Sequence, residues 1–364
     1  MLLFIAVILL YNVLLFYIGW NGWKWLQTII KINKPFKYTY WFLFFLLGYS
    51  PILKRFLEDY FNLTWVGAIW LGLFYFLIFL LPLANLFVFL MRFTNIQREK
   101  VTKRTGFAVM AIVCCLFIYG TYNAYTPVVR TYEINIPKHV EGKKELNIVM
   151  ASDMHFGVLS GSKHAENLVK EINSLNPDFV LFPGDIIDDD LNMFLAKGIP
   201  PILKQIKAPV YMSLGNHDRE VTEELMKSFR ESGMDVLFDE VLVLDNGITL
   251  VGRKDKGYRE EVRLKLNDLM KNVDLNKPVI LMDHQPYDFD IAEENGVDLL
   301  VSGHTHRGQI APGHLITQKI YENDWGYLRK GNLHTIVSSG YGFWGTPIRI
   351  GSQSEIVQIH ATFK

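Results

Sequence analysis

Five short apolar segments after residue 145 are each followed by side chains that bind metal ions. The five polar runs are Asp153-Met154-His155, Gly184-Asp185-Ile186-Ile187-Asp188, Gly215-Asn216-His217-Asp218, Asp283-His284 and Gly303-His304-Thr305-His306. Short apolar runs of this kind are typical of buried strands, and open α/β sheets place their ligands at the carboxyl ends of their strands. The order and spacing of the five runs therefore predict one pocket lined with carboxylate, amide and imidazole groups.

These groups suit a particular kind of hydrolysis. Oxygen and imidazole ligands favour Mn, Fe or Zn, and two such ions roughly 3.5–4 Å apart stabilise both the attacking and the leaving oxygen of a phosphate ester. The two cysteines, Cys114 and Cys115, lie side by side in an apolar segment and offer no ligand to this pocket. A thiolate site is therefore excluded.

The five runs, in this order, resemble the calcineurin-like metallophosphoesterase superfamily over roughly residues 145–364. The run His304-Thr305-His306-Arg307-Gly308-Gln309 is similar to that of membrane-associated members with a Gly-His-Thr-His-x-Gly-Gln motif. The resemblance implies an α/β four-layer (α/β/β/α) sandwich and two divalent metal ions, with Mn, Fe or Zn expected. It also implies attack on phosphorus by a metal-bound hydroxide.

The resemblance further implies two sets of ligands joined by one bridging carboxylate, Asp185. The first ion would be bound by Asp153, His155 and His306, and the second by Asn216, His284 and His304.

Three neighbouring positions carry separate expectations. His217 would face the phosphate and protonate the leaving oxygen as a general acid, and Asp188 would orient its ring. Asp218 is expected to cap the following helix rather than to take part in catalysis. Arg307 stands where the subgroup has glycine, and it either contacts a phosphate through a bidentate hydrogen bond or points to solvent.

The first 125 residues form a predicted membrane domain, because Leu, Phe, Ile, Trp and Tyr dominate them and charges are few. Apolar runs long enough to cross a bilayer predict four transmembrane helices, with three as the alternative because the second run is short and contains Gly48 and Pro51. The predicted spans are Leu2–Ile18, Tyr38–Leu53, Leu63–Met91 and Phe107–Tyr125.

Lysine and arginine in the short loops predict the orientation of the chain. The loops after the first and third spans are rich in these residues, whereas the loop after the second holds only Lys54 and Arg55. Positively charged loops tend to be cytoplasmic, so four spans predict a multi-pass protein of the cell membrane with an extracytoplasmic catalytic domain. Three spans would invert this arrangement.

The soluble part is predicted to begin with a linker and first edge strand at residues 126–145, followed by the phosphoesterase domain at residues 146–364. Strands alternate with helices at first, and strands then dominate, as expected for an α/β protein. Helices are predicted near Leu191–Ile206, Glu220–Ser232 and Glu260–Asn272. The turn Asp245-Asn246-Gly247 predicts a hairpin.

The composition argues against two classes of function, nucleic-acid binding and transport. Lys and Arg total 37, as do Asp and Glu, so there is no basic excess to indicate nucleic-acid binding. Few ionisable residues lie in the spans, which favours an anchor over a transporter. We therefore predict a membrane-anchored phosphoesterase acting on a phosphate mono- or diester, with a phospholipid or other cell-surface phosphate as a plausible partner. The alternative is a membrane receptor or scaffold whose phosphoesterase-like domain binds metal without turnover.

Overall fold

The structure is a computed structural model that describes residues 2–57, 63–218, 222–257 and 263–364. The chain divides into two units. One comprises residues 1–120 with 345–347, and the other comprises residues 121–344 with 348–364.

Among the described residues, five α-helices lie in the N-terminal unit, and the end of the fifth helix extends beyond it. They are α1 (Leu2–Leu26), α2 (Lys34–Gly48), α3 (Ser50–Leu57), α4 (Leu63–Leu90) and α5 (Arg98–Tyr125). Among the described helices, three are long and apolar enough to cross a membrane: Leu3–Leu26, Leu63–Phe93 and Arg98–Tyr125.

The second predicted span, Tyr38–Leu53, does not form one continuous helix. It falls on α2, with 15 residues, and α3, with 8 residues, which are separated at Tyr49. Alone, α2 is shorter than the roughly 20 residues that a crossing needs. Pro82 lies inside α4 and does not end it.

Side-chain contacts give the directions of these helices. The Tyr11 and Tyr17 hydroxyls near the middle of α1 accept hydrogen bonds from Trp70 and Asn85 of α4 at 3.0 and 2.7 Å, so the two helices run in the same direction. The Tyr40 hydroxyl of α2 donates to the carbonyl of Gly19, and Tyr11 donates to the carbonyl of Gly48. In these contacts the residue number increases along α2 as it decreases along α1, so α2 is antiparallel to α1.

Two six-stranded mixed sheets form the second unit. Their orders are β1-β12-β2-β3-β4-β5 and β10-β11-β9-β8-β7-β6. The first sheet contains β1 (Val128–Ile136), β2 (Glu145–Met150), β3 (Phe179–Pro183), β4 (Val210–Ser213), β5 (Met234–Val236) and β12 (Glu355–Phe363). The second contains β6 (Glu240–Val243), β7 (Thr249–Gly252), β8 (Val279–Met282), β9 (Leu299–Ser302), β10 (Gly326–Lys330) and β11 (Leu333–Val337).

The sheets pack face to face with helices outside them. Successive side chains of a strand point to opposite faces, and in β2 Ile148 and Met150 join the apolar cluster between the sheets. Val149 and Ala151 join the cluster beneath the helices of the first sheet. A third cluster covers the outer face of the second sheet. The expected α/β/β/α sandwich is therefore confirmed.

Seven α-helices lie among the described residues of the sandwich, and the longest of them has 14 residues. They are α6 (Ser162–Leu175), α7 (Leu191–Ala196), α8 (Ile199–Leu203), α9 (Glu223–Glu231), α10 (Leu266–Leu269), α11 (Phe289–Glu294) and α12 (His314–Ile320).

The helical stretch predicted near Leu191–Ile206 is present, but it is divided into α7 and α8. Gly198 adopts a φ of +63° between α7 and α8 and is followed closely by Pro200, which together interrupt the helix. Two further predicted helices, Glu220–Ser232 and Glu260–Asn272, begin at residues that lie outside the described ranges. The described part of the predicted helix Glu260–Asn272 consists of α10 and a 3₁₀ turn. The hairpin at residues 245–247 is confirmed, because β6 and β7 pair antiparallel.

Candidate metal centre

The polar runs lie at the carboxyl ends of five strands, β2, β3 and β4 of the first sheet and β8 and β9 of the second. They bring three groups of metal-type side chains together, and within each group the ligand atoms lie within 4.8 Å of one another. The groups are Asp153, His155 and His306; His155, Asp185 and His217; and Asp185, His284 and His304.

The backbone is strained where it presents these side chains. Asp153, His155, Asp185, His304 and His306 all have positive φ, between 46° and 69°. Non-glycine residues adopt this region uncommonly, and such conformations cluster at functional sites.

Glycine allows the turns to approach one another. A Cβ on Gly184, which has a φ of +88°, would lie 2.7 Å from both the Gly215 Cα and the His284 Nδ1. No other residue fits there without displacing a neighbouring turn.

Asp218 holds two of these turns together. Its carboxylate is fully buried and accepts hydrogen bonds from the amides of Asp185, Ile186, Ile187 and Gly215 at 2.9–3.0 Å. Asp218 therefore does not cap the next helix as predicted. Thr222 takes that position, and its side chain accepts from the amide of Leu225.

The candidate ligands of the first ion face one another. The Nε2 atoms of His155 and His306 lie 3.1 Å apart, and His306 Nε2 lies 3.5 Å from an oxygen of Asp153. The Asp185 carboxylate is 3.8 Å from His155 Nε2. Two ring nitrogens at this separation, with carboxylates beside them, fit a shared cation.

The candidate ligands of the second ion include a histidine already fixed in one tautomer. His284 Nδ1 lies 2.8 Å from the carbonyl of Pro183, to which it can only donate. Its buried Nε2 lies 3.0 Å from the carboxylate of Asp185. A metal-binding histidine normally donates its other ring N–H in this way. His304 Nδ1 approaches Asn216 Oδ1 at 2.6 Å.

The buried carboxylates of the centre need positive charge beside them. Burial raises the pKa of Asp185, but His284, His155 and His217 outweigh burial and hold that pKa below its usual range. Burial lowers the pKa of His284, but Asp185 outweighs it and raises that pKa well above its usual value. Without metal, protons on imidazoles supply the positive charge that the carboxylates need. Divalent cations would supply it equally, so the residues fit the expected ions.

His217 is oriented by a different carboxylate from the one predicted. Its Nδ1 lies 3.0 Å from Asp189, whereas Asp188 lies 3.6 Å from Nδ1 of His155. Asp188 was predicted to orient His217, but in the structure it lies beside His155 instead. Asp189 adopts a φ of +58°, and this reversal of the chain exchanges the directions of the two carboxylates.

A cavity of about 350 Å³ opens onto the centre. His217 and Trp344 are among the residues that line it, and Arg307 is not. The Arg307 guanidinium lies 3.7 Å above the Trp325 ring, so the structure places it against an aromatic side chain.

Arg349 is a buried residue that sequence reasoning did not assign to the centre. Its guanidinium donates to the carbonyls of Ser339 and Gly342 at 2.6 Å and lies 3.1 Å from His306 Nδ1. The amide of Gly342 in turn donates to the carbonyl of Asp153 at 2.8 Å. Arg349 therefore fixes the loop behind two candidate ligands. Arg349 ends a segment that contains Gly340, Gly342 and Gly345, and this glycine-rich segment was the sequence signal that could have indicated it.

These features define the class of the protein as a metal-dependent hydrolase of the two-sheet type. Comparison with known proteins agrees. Residues 146–308 match the family model for calcineurin-like phosphoesterases.

Curated relatives extend the match along the chain. An uncharacterised metallophosphoesterase of Campylobacter jejuni is 31% identical, over 91% of this chain and 92% of that protein. Another, from Helicobacter pylori, is 34% identical over 59% of this chain and 60% of that protein. A Danio rerio protein named as a transmembrane protein with a metallophosphoesterase domain is 30% identical over 69% of this chain and 61% of that protein. The chain belongs to the calcineurin-like metallophosphoesterase family.

The separate contacts of Asp188 and Asp189 predict different defects. Asp189→Asn should lower turnover about ten-fold with metal content unchanged, because only His217 loses its partner. Asp188→Asn should weaken metal binding about ten-fold, because the carboxylate behind His155 is lost. Turnover with saturating Mn²⁺ and metal titration of each variant measure the two effects.

Asp190→Asn is the matched control, because Asp190 caps α7 from the same loop and asparagine caps equally well. A loss of turnover in Asp188→Asn with full metal affinity would instead favour Asp188 as the partner of His217.

Proposed function

We propose that this protein is a membrane-anchored, metal-dependent phosphoesterase that hydrolyses phosphate mono- or diesters at the membrane surface, with phospholipid headgroups as the leading substrate class. The observation that supports this most strongly is the set of Asp, Asn and His side chains that converge on Asp185 from five strand ends.

Asp185 is proposed to lie between two divalent ions. The proposed ligands are Asp153, His155 and His306 for one ion, and Asn216, His284 and His304 for the other. When bound, such ions stabilise the charge on both the attacking and the leaving oxygen of the ester. Their identity is proposed to be Mn, Fe or Zn, which imidazole and carboxylate ligands suit.

His217 is proposed to protonate the leaving oxygen. Its ring lines the cavity, so it can reach an ester held over Asp185. The carboxylate of Asp189 lies 3.0 Å from Nδ1 and can accept its hydrogen bond, which leaves Nε2 as the ring nitrogen for transfer of a proton to the leaving oxygen. The ring of His217 also lies close to His155 and Asp185, in an arrangement that would allow His217 to bind a metal ion instead. Its contact with Asp189 favours the role of general acid.

A membrane substrate is supported by the short connection between the two parts of the chain. Helix α5 ends at Tyr125 and strand β1 begins at Val128. Only residues 126–127 separate helix α5 from strand β1, the edge strand predicted within residues 126–145. Tethering of this kind raises the local concentration of lipid phosphates around the catalytic unit.

We propose that the chain crosses the membrane four times. Because α1 and α4 run in the same direction, the chain must return across the membrane between them, and the described chain there consists of α2 and α3. Together they hold 23 helical residues, or about 35 Å at 1.5 Å per residue. The basic ends of α1 and α5 then lie on one side, which the positive-inside tendency assigns to the cytoplasm. The catalytic unit would be extracytoplasmic.

Labelling of single cysteines with a membrane-impermeant maleimide on intact cells tests this orientation. The background protein carries Cys114→Ser and Cys115→Ser. Glu166→Cys, exposed on α6, should be labelled, and Asn95→Cys, exposed between α4 and α5, should be labelled only after the cells are opened. The reverse pattern would place the catalytic unit in the cytoplasm.

Hydrolysis of chromogenic phosphate mono- and diesters by the full-length protein tests the proposed activity. We expect turnover that requires Mn²⁺, is abolished by chelator, and falls at least a hundred-fold in Asp185→Asn, because that carboxylate lies between both ligand groups. Glu166→Gln serves as the surface control. Metal binding without turnover, also with phospholipid vesicles, would favour the receptor or scaffold alternative.

A further inference from the structure

Trp344 is an exposed aromatic residue at the cavity over the candidate metal centre. It lines this cavity, and its ring centroid lies 6.3 Å from that of His217. Its side chain is nevertheless 58% exposed. Pockets that bind ligands are commonly lined by aromatic side chains. Trp344 is therefore placed to contact the part of a substrate that lies next to the phosphate.

The position of Trp344 is fixed through its backbone. The side-chain amide of Gln309 donates to the Trp344 carbonyl at 2.9 Å, and the side-chain oxygen of Gln309 accepts from the Trp344 amide at 2.8 Å. The preceding residue, Phe343, is buried, and its ring packs edge-on against Tyr125 at 5.0 Å. The loop therefore holds Trp344 beside the metal cavity while its ring stays accessible.

The chain after Trp344 passes directly into the N-terminal unit. Residues 345–347 belong to that unit, in which Thr346 is buried and its hydroxyl donates to the carbonyl of Ala68 at 3.0 Å. Ala68 lies in the second turn of α4, a helix long and apolar enough to cross a membrane. Consecutive Cα atoms are about 3.8 Å apart, so covalent continuity alone keeps the backbone of Trp344 within about 7 Å of Thr346.

The start of α4 suits the membrane–water interface. Trp65 lies one turn before Ala68, and tryptophan is enriched where membrane helices meet the lipid headgroups. In the proposed four-span arrangement, this end of α4 lies on the same side of the membrane as the catalytic unit. The reason is that α4 runs parallel to α1 and begins opposite the basic end of α1. Trp344 is thus tied to the headgroup region on the side where substrate is bound.

We infer that Trp344 contacts the glycerol backbone and the first acyl carbons of a phospholipid whose phosphate lies over the candidate metal centre. Indole suits this position because it joins a large apolar surface to one polar N–H group. The contact makes the enzyme select phosphates carried by lipids over the same headgroups without acyl chains. This inference rests on the proposed phosphoesterase function.

Contact between residue 344 and lipid is tested without catalysis. Trp344→Cys is introduced into the full-length protein with Cys114→Ser and Cys115→Ser, labelled with an environment-sensitive fluorophore, and reconstituted into vesicles that contain nitroxide-labelled phosphatidylcholine. Quenching should be at least three-fold stronger than at Glu166→Cys on α6. Ile118→Cys, which is 73% exposed on α5, is the positive control. Quenching at residue 344 no stronger than at residue 166 would overturn the inference.

Hydrolysis by the Mn²⁺-loaded full-length protein tests the selectivity. Phosphatidic acid in vesicles is compared with glycerol 3-phosphate, and phosphatidylglycerol with glycerophosphoglycerol, so that the members of each pair differ only in acyl chains. For at least one pair, the ratio of kcat/KM for the lipid to kcat/KM for its headgroup should fall at least five-fold in Trp344→Ala, through KM for the lipid. Trp344→Phe should restore most of the ratio, because phenylalanine keeps an aromatic surface.

Val243→Ala is the matched control for this assay. Val243 is an exposed apolar residue of β6, 64% exposed, and it does not line the metal cavity. Its substitution should leave the ratio unchanged. An equal fall of the ratio in Val243→Ala and Trp344→Ala would overturn the inference, because the effect would not depend on the cavity.

The remaining outcomes separate the inference from the proposed function. Turnover of both members of a pair with the same ratio in wild type and Trp344→Ala would overturn the inference and leave the phosphoesterase function intact. A fall in the hydrolysis of adenosine 5′-monophosphate, with the lipid ratio unchanged, would also overturn it, because Trp344 would then stack on a nucleoside. Strong quenching at residue 344 in a protein without turnover of any ester would support lipid contact and contradict the proposed function.

Discussion

The candidate metal centre depends on one buried carboxylate that is not itself a proposed ligand. Asp218 binds four backbone amides from the turns after β3 and β4, and the amide of His217 returns a bond of 2.7 Å to Asp185. Burial, with Asp185 close by, raises the pKa of Asp218 to about 7. Divalent ions beside Asp185 would offset part of that effect. The position of the proposed bridging residue is therefore set by hydrogen bonds made beneath it.

Different groups support the two halves of the centre. His284 is backed by a neutral carbonyl, that of Pro183. Nδ1 of His306 instead lies 3.1 Å from the buried guanidinium of Arg349, which offers only donors and also donates to the loop carbonyls of Ser339 and Gly342. A cation behind one candidate ligand and a neutral acceptor behind the other make the surroundings of the two proposed ions electrostatically unequal, although their ligands are of similar types.

The main features of the fold and the convergence of the candidate ligands could be predicted because each depends on local sequence. Apolar strands ending in Asp or His give both the sheets and the edge at which ligands meet. The supporting contacts could not be predicted. Whether Asp188 or Asp189 faces His217 depends on a backbone reversal at one residue, and Arg349 reaches His306 only through long-range packing. The division of the second apolar run into α2 and α3, in contrast, falls between Gly48 and Pro51, the two residues that already weakened the prediction of this span from sequence.

The proposed dinuclear centre is tested most directly by the number of metal ions bound by the full-length protein, measured by inductively coupled plasma mass spectrometry after loading with Mn²⁺ and removal of excess metal. We expect two ions per chain in the wild type and about one in each of His284→Gln and His306→Gln, because each variant removes a ligand from a different proposed ion. Fewer than one ion in the wild type, or full occupancy in both variants, would contradict a dinuclear centre built from these residues.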